Sequence, residues 1–177
     1  MIHYIHVCYI LFQIIIMQQN QNNITNNFDQ WFVVNDNVMG GVSESNISIS
    51  DNNTLIFKGR VSLDNNGGFA SIRYNSVNLK ANKDQKIKIT LIGDSKEYQL
   101  RIKPNRSLYY TYSKSFKTTK SKQTIVIPLN EFVAQFRGRR LNKVNFNYDQ
   151  IDEFGILIGN KRNEEFKLEI INIELIN

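Results

Sequence analysis

Four arginines and three tyrosines are the side chains here best suited to recognition chemistry. Arg73, Arg101, Arg137 and Arg139 can form charge-assisted hydrogen bonds to carboxylates or carbonyls, and Tyr98, Tyr110 and Tyr112 can supply aromatic contact area. These seven are the candidate partner- or ligand-binding residues. Two structural alternatives stand beside them: Arg137 and Arg139 tying the turn at Gly138 to neighbouring loops, and the tyrosines packing on a sheet face. Catalytic residue types are scarce. The two histidines, His3 and His6, lie at the extreme N-terminus, which removes the usual general base from the body of the chain. Cys8 is the single cysteine, so neither an intramolecular disulfide nor a cysteine zinc cluster can form. HExxH, GxSxG and a glycine-rich phosphate loop are all missing. Asp36, Asp64 and Asp94 sit in turn-like settings and read as turn formers, with a Ca²⁺ held by loop oxygens as the alternative. The expectation is a non-enzymatic protein with no catalytic residue, no metal and no cofactor.

The elements that must position these residues read as strands. The stretch Trp31 to Ser43 runs from aromatic and β-branched residues into Asn35-Asp36-Asn37 and then Met39-Gly40-Gly41, a strand feeding a constrained loop. Trp31 reads as a core residue. A second double-glycine loop, Asn65-Asn66-Gly67-Gly68, precedes Phe69, Ser71 and Arg73 on one strand face, with Ala70, Ile72 and Tyr74 on the other. Asp51-Asn52-Asn53 predicts a hairpin between Ile47–Ile49 and Leu55–Phe57. Ile87, Ile89 and Leu91 alternate with polar residues, as do Tyr98, Leu100 and Ile102, and Asp94-Ser95-Lys96 between them predicts a second hairpin. The adjacent pair Ile170-Ile171 shifts the phase of the last strand, which predicts a bulge where that strand changes layers. No stretch keeps a helical apolar period beyond a turn near Asn130 to Val133. About ten short strands of this kind predict an all-β jelly-roll sandwich with little helix.

Charge is uneven along the chain. The net +6 divides into −2 over residues 1–79, +12 over 80–143 and −4 over 144–177, so the middle third is expected to form a positive face or a solvated outer strand surface. Residues 1–27 read as a separate segment, apolar to Met17 and Asn/Gln-rich thereafter, ahead of one domain at 28–177. The apolar run is too short to span a bilayer as a helix and lacks the positive start and small-residue cleavage site of a secretory signal. It is either an upstream extension of a true start at Met17, or a degenerate signal or anchor. The expected location is the cytoplasm, with membrane association and secretion left open.

Five blocks carry a resemblance: VNDNVMGGVS at Val34 to Ser43, FKGRVSLDNNGGFASIR at Phe57 to Arg73, GDSKEYQLRIK at Gly93 to Lys103, IPLNEFVAQFRGR at Ile127 to Arg139 and FGILIGNKRNEEFKLEI at Phe154 to Ile170. In order and spacing they resemble the complex I intermediate-associated protein 30 family. The chain departs from the usual family pattern at Ile92-Gly93-Asp94-Ser95 and at Glu164-Glu165-Phe166, both in turns. The resemblance implies a galactose-binding-domain-like jelly roll, similar to carbohydrate-binding modules, and a non-enzymatic role. Mitochondrial relatives act as assembly factors for respiratory complex I, and this chain, without an Arg- and Ser-rich leader, resembles the single-domain bacterial members. The leading functional expectation is a module that engages a protein partner, such as a respiratory-complex assembly intermediate, through a sheet face and its rim loops. Carbohydrate binding is the alternative. Nucleic-acid or anionic-surface binding through the basic middle ranks last, because no known RNA-binding motif accompanies the charge.

Overall fold

The computed structural model describes residues 6–10, 12–13, 24 and 30–177. Residues 6–10 and 12–13 are helical and exposed, and no helix among the described residues is long and apolar enough to cross a membrane. The rest of the 1–27 segment lies outside the described residues, except Ile24. Ile24 is buried, and its N–H donates to Ile173 O at 2.8 Å, so the packed core reaches back beyond Phe28.

The described residues form twelve strands: β1 (Trp31–Val33), β2 (Glu44–Ile49), β3 (Leu55–Val61), β4 (Ala70–Lys80), β5 (Lys86–Ile92), β6 (Glu97–Lys103), β7 (Thr111–Lys117), β8 (Lys122–Pro128), β9 (Val133–Phe136), β10 (Arg139–Arg140), β11 (Gln150–Ile158) and β12 (Glu164–Ile176). They build two antiparallel sheets packed as a jelly-roll sandwich, one ordered β1-β4-β11-β6-β7-β9-β10 and the other β2-β3-β12-β5-β8. The alternation read from sequence explains which side of each strand is dry. Ile87, Ile89 and Leu91 on β5, Tyr98, Leu100 and Ile102 on β6, and Ala70 and Ile72 on β4 all point into the core. Trp31 is buried too, stacked on Tyr74 at 5.7 Å between ring centroids and edge-on to Phe154 at 6.1 Å.

Two sequence expectations are corrected. The Asp94-Ser95-Lys96 connection does not close a hairpin: β5 pairs with β12 and β8, whereas β6 pairs with β11 and β7 in the other sheet. The basic middle of the chain is therefore divided between the two outer faces instead of lying on one ladder. Thr118, from the β7–β8 connection, fixes this crossing, its hydroxyl oxygen accepting from the N–H groups of Asp94 and Lys96. The bulge in β12 is present between Ile170 and Asn172, but the strand stays in one sheet. It lets β12 pair with β3 over its first half and β5 over its second, returning Ile173 and Leu175 to the core after the phase shift.

The two double-glycine loops meet, and Asp36 joins them. Its carboxylate is buried and accepts from Ser43 N at 3.1 Å, Ser43 Oγ at 2.5 Å, Gly68 N at 2.7 Å and Phe69 N at 3.1 Å. A Cβ on Gly41 would overlap the Asp36 side chain, and one on Gly67 would lie 2.8 Å from Asp36 Oδ2, so both glycines clear room for the carboxylate. Gly40 has a different reason. Its φ of 86° closes the 3-10 turn Asp36–Met39, where any other residue would be strained. Asn65 and Asn66 take left-handed conformations next to Gly67 and Gly68, as asparagine tolerates. Asp94 ties down the opposite connection, accepting from Tyr98 Oη at 3.1 Å, Lys96 Nζ at 2.8 Å and Lys167 N at 2.9 Å.

Candidate functional site on the outer face of the seven-stranded sheet

Register places one row of residues across the outer face of the larger sheet: Phe32, Arg73, Gly155, Arg101, Ser113 and Val133. Neighbouring strands lie about 4.8 Å apart, so Arg73 and Arg101 stand two strands, or about 10 Å, from each other. Gly155 fills the place between them without a side chain. A Cβ there would press on the β4 backbone, 3.0 Å from Ile72 O, and would lie in ordinary contact with Arg73 Cγ at 3.6 Å and Arg101 Cβ at 4.0 Å, so the glycine is required by the neighbouring strand and leaves the space between the two arginine stems open.

Two further residues of this face hold the guanidiniums. Glu153, two positions before Gly155 on β11, places Oε1 3.8 Å from Arg73 Nη1. Gln99, two positions before Arg101 on β6, accepts from Arg101 Nε at 3.3 Å and Nη2 at 3.0 Å through its side-chain carbonyl. Lys103 is engaged elsewhere, its Nζ donating to Leu108 O at 2.7 Å. Burial, and then the neighbouring charge of Arg73, lower the Arg101 guanidinium to about 10 against the opposing pull of Glu153; it stays protonated at neutral pH. A dent bordered by Arg73, Arg101, Thr111 and Glu153 has a volume of about 10 Å³, room for roughly one water. Two guanidiniums thus face one carboxylate, leaving positive charge and unspent N–H donors at a shallow, half-dry surface. Such a group can grip a carboxylate or a row of carbonyl oxygens from a partner.

The seven binding candidates do not form one site. Arg73 and Arg101 share the row above. Arg137 and Arg139 lie at the sheet margin, Arg137 in the β9–β10 turn, where it (φ 48°) and Gly138 (φ 76°) are both left-handed, and Arg139 at the start of β10. The three tyrosines are corrected to core positions: Tyr98, Tyr110 and Tyr112 are all buried, because their strand parity matches that of the core-facing Leu100 and Ala134. Tyr98 packs on Phe116 and Phe166, and Tyr112 on Phe146 and Tyr148. Burial also pushes the Tyr98 and Tyr112 hydroxyls far above the usual phenol range, so they stay neutral donors. Sequence reasoning missed Gln99 and Glu153. The alternation that put Arg101 on the wet face of β6 applied equally to Gln99, whereas nothing local joins Glu153 to a residue eighty positions earlier.

A second concavity, about 700 Å³, runs along edge strand β2. Its polar lining includes Asn35, Asn37, Asn46, Lys58, Arg60 and Glu165, and its aromatic member, Phe166, is turned into the core against Phe57 at 4.7 Å. Among the described residues no group of three or more His, Cys, Asp or Glu could hold a metal ion.

The fold is an all-β jelly-roll sandwich that carries a paired-arginine face on its larger sheet. The chain belongs to the complex I intermediate-associated protein 30 family, whose model matches residues 17–170. No curated protein sequence matches it. Among solved structures it is similar to a family 11 carbohydrate-binding module from Clostridium thermocellum in complex with a β-1,3-1,4-mixed-linked tetrasaccharide, at 18% identity and a TM-score of 0.61 over 88% of this chain and 95% of that one. The family 11 module of the cellulosomal cellulase Lic26A-Cel5E of the same organism gives a TM-score of 0.63 at 18% identity, over 84% and 88% of the two chains. An exo-β-agarase also matches, with a TM-score of 0.53 at 8% identity, covering 88% of this chain but 25% of the enzyme. At these identities the likeness is one of fold.

Proposed function

We propose that this chain is a non-enzymatic binding module whose Arg73–Arg101 face holds a protein partner, an assembly intermediate of a respiratory or other multisubunit complex, in the cytoplasm or at a membrane surface. The observation that carries this reading is the pairing of two half-buried guanidiniums across Gly155 with only Glu153 to balance them. Family membership supports the assembly role. Fixed, partly desolvated arginines are the kind of residue that dominates interface energetics. Arg73→Met with Arg101→Met removes both charges while keeping the apolar stems. In pull-downs of the tagged protein from its own cells, the double variant is expected to lose the specific partner by tenfold or more, about 1.4 kcal/mol or above, while melting within a few degrees of the parent. Full retention of the partner would sink the assignment.

A second reading rests on the groove along β2, whose amide, carboxylate, ammonium and guanidinium groups are of the kinds that hydrogen-bond sugar hydroxyls, on a fold shared with carbohydrate-binding modules. A glycan array tests it. Binding to a neutral glycan that Arg60→Ala abolishes would move the function to this groove; an array without signal removes the reading.

A further inference from the structure

The larger sheet has seven strands against five, and its β9–β10 margin carries a feature that the Arg73–Arg101 face does not use. Phe136 has the strand parity of core-facing Ala134, yet it is 39% exposed, and Tyr109 beside it is 63% exposed. Their rings meet at 5.3 Å, and Tyr109 continues edge-on to Tyr110 at 5.1 Å. Cations stand over this aromatic ledge: Arg137 Cζ lies 5.4 Å from the Phe136 ring centroid and Lys143 Nζ 5.1 Å from that of Tyr110. Arg139 sits opposite Phe136 in the hairpin register and Arg140 follows it. Among the described residues none of Arg137, Arg139, Arg140 and Lys143 takes part in an ion pair, and Glu131, ahead of β9, is paired with Lys114 at 2.7 Å.

We propose that this margin binds single-stranded nucleic acid, with phosphodiesters on Arg137, Arg139, Arg140 and Lys143 and bases stacked on Tyr109 and Phe136. Four uncompensated cations attract a polyanion, and two exposed rings supply sequence-tolerant stacking that carboxylates cannot exploit. An anionic bilayer fits less well. Insertion needs a broad apolar face, and among residues 137–149 Val144 is the exposed aliphatic side chain.

The test is fluorescence anisotropy of the full chain with labelled oligouridylate and oligothymidylate at several salt concentrations, beside phosphatidylglycerol vesicles. Both oligomers are expected to bind, and stronger binding of uridylate would identify RNA as the ligand. Replacing Arg137, Arg139 and Arg140 together by alanine is expected to reduce the slope of log K against log salt by about 2, three contacts at about 0.7 each. Tyr109→Ala with Phe136→Ala is expected to weaken binding about tenfold or more with the slope unchanged. Lys122→Ala, which removes an exposed cation from β8 in the other sheet, leaves affinity unchanged. Absence of saturable binding at low salt overturns the proposal, as does a ring variant that binds like the parent while keeping its near-ultraviolet dichroism. Vesicle binding with the same dependence on both sets of residues would also overturn it, in favour of a lipid surface.

Discussion

Replacing Asp36 by alanine is expected to destabilise the domain by about 3–5 kcal/mol, read as a fall in the urea midpoint at unchanged slope and a drop in melting temperature of roughly 6–20 °C. The side chain accepts four hydrogen bonds from two loops that are distant in sequence. Its loss strands the N–H groups of Ser43, Gly68 and Phe69, each costing about 1–3 kcal/mol if left dry. Water entering the space vacated by the carboxylate recovers part of this, which keeps the total below the sum. The effect also has a sign in pH. Burial alone would raise the Asp36 pKa, but the Ser43 hydroxyl and the Gly68, Phe69 and Ser43 amides outweigh it and hold the carboxyl below its ordinary value. A group with a lowered folded pKa contributes stability that is present above its unfolded pKa of about 3.9 and is lost as pH falls through the folded value. The gap between parent and variant should therefore be widest near neutral pH and narrow below about pH 4. A constant gap from neutral to acid, or a cost below about 1 kcal/mol, would show that the carboxylate does not organise the loops.

Gly59→Ala is expected to cost about 2–4 kcal/mol, although alanine for glycine within a strand is ordinarily neutral or stabilising. Gly59 pairs with Ser45 on one side and Phe166 on the other. A Cβ at this position would overlap Glu44 O and come within 2.6 Å of Ser45 Cα, and both are backbone atoms that no rotamer change can move. The strand that can yield is β2, at the edge of its sheet. Hydrogen exchange should then show protection lost at Glu44 to Asn46 while the β12 and β5 amides keep theirs. Because Ser43, at the head of β2, also holds Asp36, the two substitutions should combine non-additively. Uniform loss of protection across the sandwich would contradict the local origin of the effect.

Much of this fold was legible because strand alternation is local and strong. The patterns Ile87-Ile89-Leu91 and Tyr98-Leu100-Ile102 state which face is dry without reference to anything else, and Ile170-Ile171 announces its bulge in two letters. The same alternation placed Tyr98 with Leu100, so its burial was written in the sequence even though its hydroxyl suggested a surface role. Sheet membership was not legible. Asp94-Ser95-Lys96 suits a hairpin as well as a crossing, and what decides is Thr118, which meets that turn only after the chain has folded. The double-glycine loops were recognisable as constrained, but that one carboxylate occupies both depends on Asp36 and Gly68 meeting across thirty-two positions. For the site, the signal for Arg73 and Arg101 was their charge on alternating strands, while the gap at Gly155 and the counter-charge at Glu153 come from β11, which enters the sheet between them only in the folded state.

The most direct test of the proposed binding face is site-specific photocrosslinking in the native cells, with a photoreactive residue at Thr111, beside the Arg73–Arg101 dent, or at Thr124, on the outer face of the five-stranded sheet. Thr111 is expected to yield a defined crosslinked protein, Arg73→Met with Arg101→Met to remove that adduct, and Thr124 to yield none. An adduct from Thr124 alone, or one from Thr111 that survives loss of both arginines, would contradict it.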